Sequence, residues 1–385
     1  MRYKYQISEN VNGEEWNNNL QKFPAATFLQ TYEYISEHPG SEIPVFVSVL
    51  DENNQIVGQL GLKIIKTAET YSGKILLKFL SIFSALTKRA IWIYGPLIAS
   101  SDLHDRTAIL EQILMALDEI GEKFDLVHLE GHTPSLDNEV DSDYKNIFNK
   151  FNYSSIDEIT FVVDLNKTTD ELWKDLPRKS RGDVSRAKRR NIVVKELETF
   201  EEINQYFMLN VEWAKSKGLV LADINYEINK LWKNHNLGIE KVLLAYQDCK
   251  LISGIRIGCF NNVAYTNYAV NSYSVKSNLG GSLLNWFALE WAKNRNMKFY
   301  DFSGGSLADT ISENNNTENK KNNDHIRELE FTPDEEIHTL LFYKTKWGGS
   351  PKKYYNFKKV RKIFFYRIYS LSFNLLVIYH KLIKH

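Results

Sequence analysis

Apolar and polar positions along this chain change period several times, and each change marks an element. In the first 155 residues, helical spacing covers Glu14 to Lys22, Gln30 to His38 and Thr107 to Glu122. Strand-like apolar runs cover Val45 to Leu50, Ile56 to Lys66 and Leu126 to Glu130. The second half repeats the theme. Phe161 to Leu165 and Ile192 to Leu197 read as strands, Phe200 to Lys217 and Tyr226 to His235 as helices, and Lys241 to Gln247 with Leu251 to Phe260 as a hairpin. Val263 to Val270 is β-branched and aromatic, so it predicts a strand, and Asn278-Leu279-Gly280-Gly281 breaks it. A helix with Ser282 as N-cap follows, its apolar residues Leu283, Leu284, Phe287, Leu289, Trp291 and Ala292 mostly at helical spacing, and Met297 to Phe302 is extended again. Mixed sheets with flanking helices, twice, predict an α/β (α+β) architecture in two domains, 1–155 and 156–350, followed by a basic and apolar tail at 351–385. Ser312 to Asp324 (SENNNTENKKNND) has no apolar residue and predicts a mobile loop beside the second domain's glycine loop.

The glycine-turn unit carries the first chemical signal. Unpaired amides at Gly280, Gly281 and Ser282 would share their direction with the helix dipole, which suits an anion or an oxyanion. Gly304 and Gly305 form a second polar glycine turn right after a strand. Asp301, at that strand's end, could orient or deprotonate an amine, or cap the turn; Tyr268 and Tyr273 could touch substrate or pack. Many α/β folds contain such a unit for structural reasons alone. No Ser or Cys triad, no HExxH and no clustered His/Cys set is present, so no metal site is expected, and direct transfer to an amine is favoured over a covalent intermediate. Cys249 and Cys259 lie in the predicted hairpin without metal-ligand spacing, and MRYKYQISEN has no apolar h-region, so a cytoplasmic setting is expected.

The formal net charge is +0 over 385 residues, so any polyanion site must be local. Arg178 to Arg190 holds seven Lys or Arg in thirteen positions. Arg178, Arg181 and Arg186 could present planar forks to the phosphates of a tRNA or a lipid pyrophosphate; the alternative is a charged, solvated helix. Lys358-Lys359-Val360-Arg361-Lys362 opens the tail, and Ile368 to Tyr379 is nearly apolar. That run falls short of the roughly 20 residues a spanning helix needs. The tail suits either an amphipathic helix lying on an anionic membrane surface through 361–385 or docking onto the first domain. Ile75 to Leu86 is a second apolar patch, buried or at the same surface.

Five segments together resemble the FemA/FemB/FemX-type (FemABX) aminoacyltransferases of the GNAT-like superfamily. They are Thr27-Phe28-Leu29-Gln30-Thr31-Tyr32-Glu33-Tyr34, Ile91 to Ile98 (IWIYGPLI), Leu172 to Val194 with Leu172-Trp173, Arg181 and Arg186-Ala187-Lys188-Arg189, Leu283 to Gly304, and Tyr343-Lys344-Thr345-Lys346-Trp347-Gly348-Gly349. They stand in that family's order. The resemblance implies two tandem GNAT-like domains, with the last strand returning to the first. It also implies an aminoacyl-tRNA donor with no cofactor, an amine of a lipid-linked or glycan cell-envelope precursor, peptidoglycan-type in that family's bridge-building branch, as acceptor, and Lys344 as the lysine that stabilises the oxyanion. There are departures. Ser216 stands where relatives often carry arginine, Tyr34 where tryptophan is common, and His38 where a lysine would follow. Ser277 to Ser282 is similar to the pyrophosphate loop of acyl-CoA-dependent GNAT enzymes, which leaves acyl-CoA as the alternative donor. A non-catalytic membrane-surface adaptor with the same fold is the reading from a different class.

Overall fold

The computed structural model describes residues 2–36, 42–66, 88–100, 102–140, 142–216, 224–272, 279–306, 343–367 and Ser370. Tyr273, the loop 312–324, the patch Ile75 to Leu86 and nearly all of the tail beyond 367 lie outside the described residues.

In the first half, the alternation of IPVFVSVL and IVGQLGLKIIK builds an antiparallel ribbon of β2 (Ile43–Leu50) and β3 (Ile56–Lys66), with β1 (Lys4–Ser8) on its outer edge. Then come β4 (Lys88–Trp92), the short β5 (Leu97–Ile98) beside β3, and β6 (His128–His132). Helix α1 (Gly13–Leu20) is capped by the Asn12 side chain. A 3-10 turn at Phe28–Gln30 leads into α2 (Tyr32–Ser36), where the sequence pattern predicts one longer helix. Helix α3 (Leu103–Lys123), capped by Asp102, starts four residues before the predicted Thr107. Its Ile109, Leu110, Ile113, Leu114, Leu117 and Ile120, at the i, i+3, i+4 spacing of one face, are buried, and the helix packs against β1, β2 and β3.

After α4 (Ser142–Lys150), the second half holds β7 (Ser154–Asp164), α5 (Thr169–Asp175), α6 (Arg178–Arg189), β8 (Val193–Glu196), α7 (Phe200–Ser216) and α8 (Ile224–Leu237). Strands β9 (Glu240–Gln247), β10 (Lys250–Phe260) and β11 (Val263–Asn271), helix α9 (Leu279–Asn294), β12 (Phe299–Ser306) and β13 (Ser350–Val360) complete it. Helices α9 and α6 cover one face of the second half's sheet and α7 with α8 contact it through a separate core.

All thirteen described strands join one sheet, in the order β1-β2-β3-β4-β6-β13-β7-β12-β11-β10-β9-β8 with β5 beside β3. Two pairs are parallel, β4 with β6 and β11 with β12, and a helix lies between the partners in the chain each time, α3 and α9. The duplication that no residue-level repeat revealed is therefore present as two βαβ units. The last strand lies antiparallel between β6 and β7, joining the two halves. Residues 351–360, assigned to the tail by pattern, are thus sheet. Their basic neighbours are paired with acids of the first half: Lys358 with Glu130, Lys359 and Arg361 with Asp118, and Lys362 with Asp125. No helix among the described residues is long and apolar enough to cross a membrane.

Candidate functional site

Strand β12 breaks register between Asp301 and Gly304, a β-bulge whose extra residue, Ser303, has φ of 62°. A non-glycine residue in that left-handed region costs about 1–2 kcal/mol. The bulge is held from both sides. Asp301 Oδ1 accepts from the Ser303 amide at 2.8 Å, a charge-assisted bond that offsets the strain. Lys344 Nζ donates to the Ser303 carbonyl at 2.8 Å, the Gly304 carbonyl at 3.1 Å and Ser303 Oγ at 3.2 Å. Lys344 is aimed by its own motif: Trp347, 2% exposed, packs on Phe302 and Tyr343, and the Tyr343 hydroxyl accepts from Asn285 Nδ2 at 2.6 Å.

Asp301 is fully buried, so its carboxylate lost its water and found protein donors instead. Oδ1 also accepts from Thr160 Oγ1 of β7, and Oδ2 accepts from Ser135 Oγ at 2.9 Å and the Tyr94 hydroxyl at 3.3 Å. Burial raises the Asp301 pKa, with the bonds from Thr160, Ser135 and Ser303 and the Lys344 charge opposing the rise. Burial lowers Lys344 from 10.5 to about 8, against the pull of Asp301. The ammonium form of Lys344 therefore still dominates at neutral pH, and it and the Asp301 carboxyl hold the bulge from opposite sides.

Three tyrosines close the site. The rings of Tyr265 and Tyr354 each lie 5.6 Å from Tyr94, edge to face. Burial, together with neighbouring acids, pushes all three phenols up, so they serve as neutral donors. Tyr354 Oη lies where a side chain on Gly304 would go: a Cβ there would stand 2.0 Å from it. Behind Tyr354, Glu158 faces His132 Nε2 at 3.4 Å. Ser303, Gly304 and Tyr265 are only partly covered, and they form the accessible edge beside Lys344.

The structure thus brings Lys344, Asp301 and Gly304 together and continues through Gly305, which pairs with Ile159. Of Asp301's possible roles, capping the turn is observed; with four donors on its two oxygens, direct removal of an amine proton is disfavoured. Other expected residues fall elsewhere. Helix α9 runs from Leu279, so Ser282 is inside it rather than its N-cap, and Gly280 and Gly281 are helical and buried. Gly280 lies against Ile252 and Ser253, where a Cβ would come within 2.8 Å of Ile252, and this close helix–sheet packing overrides the local turn preference. Their amides still belong to the first turn of α9. Arg181 is not a free fork: Nη1 donates to the carbonyls of Lys174 and Leu176, both at 2.8 Å, closing the end of α5. Arg186 pairs with Asp183, and Arg178 is exposed. Tyr268 is half-buried against Trp213, away from the bulge. Sequence reasoning missed Tyr94, Ser135, Thr160, Ser303, Tyr265 and Tyr354. Tyr94, inside IWIYGPLI, Ser303, inside Leu283 to Gly304, and Tyr265, inside the predicted strand Val263 to Val270, lay in segments already singled out.

No family model matches this chain, and no curated protein does. Solved structures share its fold. FemX superposes with a TM-score of 0.64 at 13% identity, over 94% of this chain and 99% of that one. L-PGS from Bacillus licheniformis gives 0.54 at 12% identity, over 95% and 97%. A tandem GNAT protein from the clavulanic acid biosynthesis pathway gives 0.53 at 12% identity, over 93% and 98%. The fold is the tandem GNAT-like fold. Its arrangement of strands and helices is similar to that of FemX.

Proposed function

We propose that this chain is an N-acyltransferase that moves an aminoacyl group from aminoacyl-tRNA to an amine of a lipid-linked or glycan cell-envelope precursor, in the cytoplasm. The observation that carries the reading is the Asp301–Ser303–Lys344 arrangement on a FemX-type fold. The amine attacks the ester carbonyl, the carbonyl oxygen becomes an oxyanion, and the C–O bond to the tRNA ribose breaks. The proton lost by the amine balances the one gained by the leaving oxygen. Lys344 meets the oxyanion by exchanging its contact with Ser303 Oγ, the longest of its three. A preformed cation in a site this dry is worth about 10²–10³ in rate. Asp301 is a positioning residue. It fixes the bulge and favours the charged lysine.

The test is transfer to a generic amine acceptor, with charged tRNA or acetyl-CoA as donor. Product from charged tRNA, absent with uncharged tRNA, is the expected result; product from acetyl-CoA alone overturns the donor assignment. That second reading has one observation in its favour. Gly280 and Gly281 lie in the first turn of α9, the end of a helix whose dipole favours an anion.

A further inference from the structure

Among the described residues, exposed large hydrophobics stand singly along the chain, with one exception: Ile363, Phe364 and Phe365 are consecutive and 60%, 68% and 37% exposed. Solitary exposed apolar residues are ordinary, whereas a contiguous group marks an interaction surface. The group is presented firmly. It follows β13, whose far half pairs with β6 through Val360 to His128, and the Tyr366 ring packs edge-on against His128.

Charge decides what the group fits. The cations before it are neutralised by Glu130, Asp118, Glu122 and Asp125. From residue 363 to 385 the sequence has no Asp or Glu at all, but has Arg367, Lys381 and Lys384. Arg367 is exposed beside the aromatic group. Ion pairs precede these aromatic and aliphatic side chains and no acid follows them in the sequence, which matches an anionic bilayer surface, with rings entering the headgroup boundary and arginine reaching lipid phosphates. We infer that Ile363, Phe364, Phe365 and Arg367 dock the chain on an anionic membrane surface. This holds whether or not the acyl-transfer reading does.

The experiment is co-sedimentation of the full chain with sucrose-loaded vesicles, phosphatidylglycerol with phosphatidylethanolamine against pure phosphatidylcholine, at low and high salt. Binding to the anionic vesicles, weakened by salt and on phosphatidylcholine, is expected. Ile363→Ser/Phe364→Ser should bind at least tenfold more weakly. Arg367→Gln should lose about fivefold, at low salt only. These side chains are exposed, so melting temperatures should match that of the parent chain; if the double variant melts early, Phe364→Ser alone gives the reading. Absence of vesicle binding, or binding equal in parent and variants, overturns the proposal. So does a dimer by light scattering that Phe364→Ser converts to monomer without any vesicle binding, since the face would then belong to a second copy.

Discussion

Lys344→Met keeps the length and burial of the side chain and removes its charge, and its clearest signature is a change in how stability depends on pH. A lysine titrating at 10.5 in the unfolded chain and at about 8 in the folded one is bound to fewer protons when folded throughout that interval. Stability rises with pH wherever the unfolded chain holds more protons, so this group's penalty is fully present below pH 8 and is relieved as pH climbs from about 8 to 10.5. The interval, 10.5 minus about 8, corresponds to about 3 kcal/mol at 1.36 kcal/mol per pKa unit. Apart from Asp301, whose carboxyl the Lys344 charge helps to keep ionised, the groups are the same in both proteins, so the difference between two stability curves reports Lys344 with its Asp301 partner. Thermal unfolding of parent and Lys344→Met between pH 7 and 10 should give curves that approach or cross, the parent gaining on the variant by up to about 3 kcal/mol. The level of either curve is less informative, because the variant leaves the carbonyls of Ser303 and Gly304 without their donor at about 1–3 kcal/mol each. Parallel curves would show that the folded lysine holds its proton as an unfolded lysine does, and the account of a charge penalised by burial at the bulge would fall with it. In a transfer assay the same variant should lose about 10²–10³ in kcat.

Asp301→Asn should lower kcat about a hundredfold while the far-ultraviolet circular dichroism spectrum stays unchanged; activity above a tenth of the parent's would remove Asp301 from the mechanism. Gly304→Ala should destabilise the chain by about 1–3 kcal/mol, because its Cβ meets Tyr354 Oη at 2.0 Å. Combining it with Tyr354→Ala should recover most of that loss, and strictly additive melting shifts would argue against the contact. Arg181→Ala should lower the melting temperature by freeing two carbonyls of the α5 end, with no more effect on tRNA affinity than Lys179→Ala. The converse, an unchanged melt with weakened tRNA binding measured by anisotropy, would restore Arg181 as a phosphate ligand.

How much of this site was legible depended on how local its causes are. Lys344 could be found because the segment Tyr343 to Gly349 resembles a family motif, and the residues that aim it, Tyr343 and Trp347, stand within that same short segment. Asp301 could be found as a polar residue ending an apolar strand before two glycines. The donors on its carboxylate could not, since Thr160, Ser135 and Tyr94 are 141, 166 and 207 positions away and meet it only through sheet order. Arg181 and Gly280 have packing roles that the sequence did not show, for the opposite reason. Both looked chemically poised on their own segments, yet Arg181 faces the end of a neighbouring helix and Gly280 is pressed on β10, neither of which a local pattern encodes.

Strand β13 explains why the missed residues came as a group. It pairs with β6 through Asn356 and His132 and with β7 through Lys352 and Thr160, so it fixes the distance between the two halves. Ser135 follows β6 and Thr160 lies on β7, which means that two donors of the Asp301 carboxylate are placed by strands that touch only through β13 in this register. The same strand brings Tyr354 over Gly304, and the turn just before it carries Lys344. The candidate site is therefore assembled at the seam by the element that closes the sheet. A shift of one residue in that strand would turn Tyr354 to the other face. Chemistry placed there is coupled to the register of a single strand, while each half's own core, around α3 in one and α9 in the other, would be left as it is.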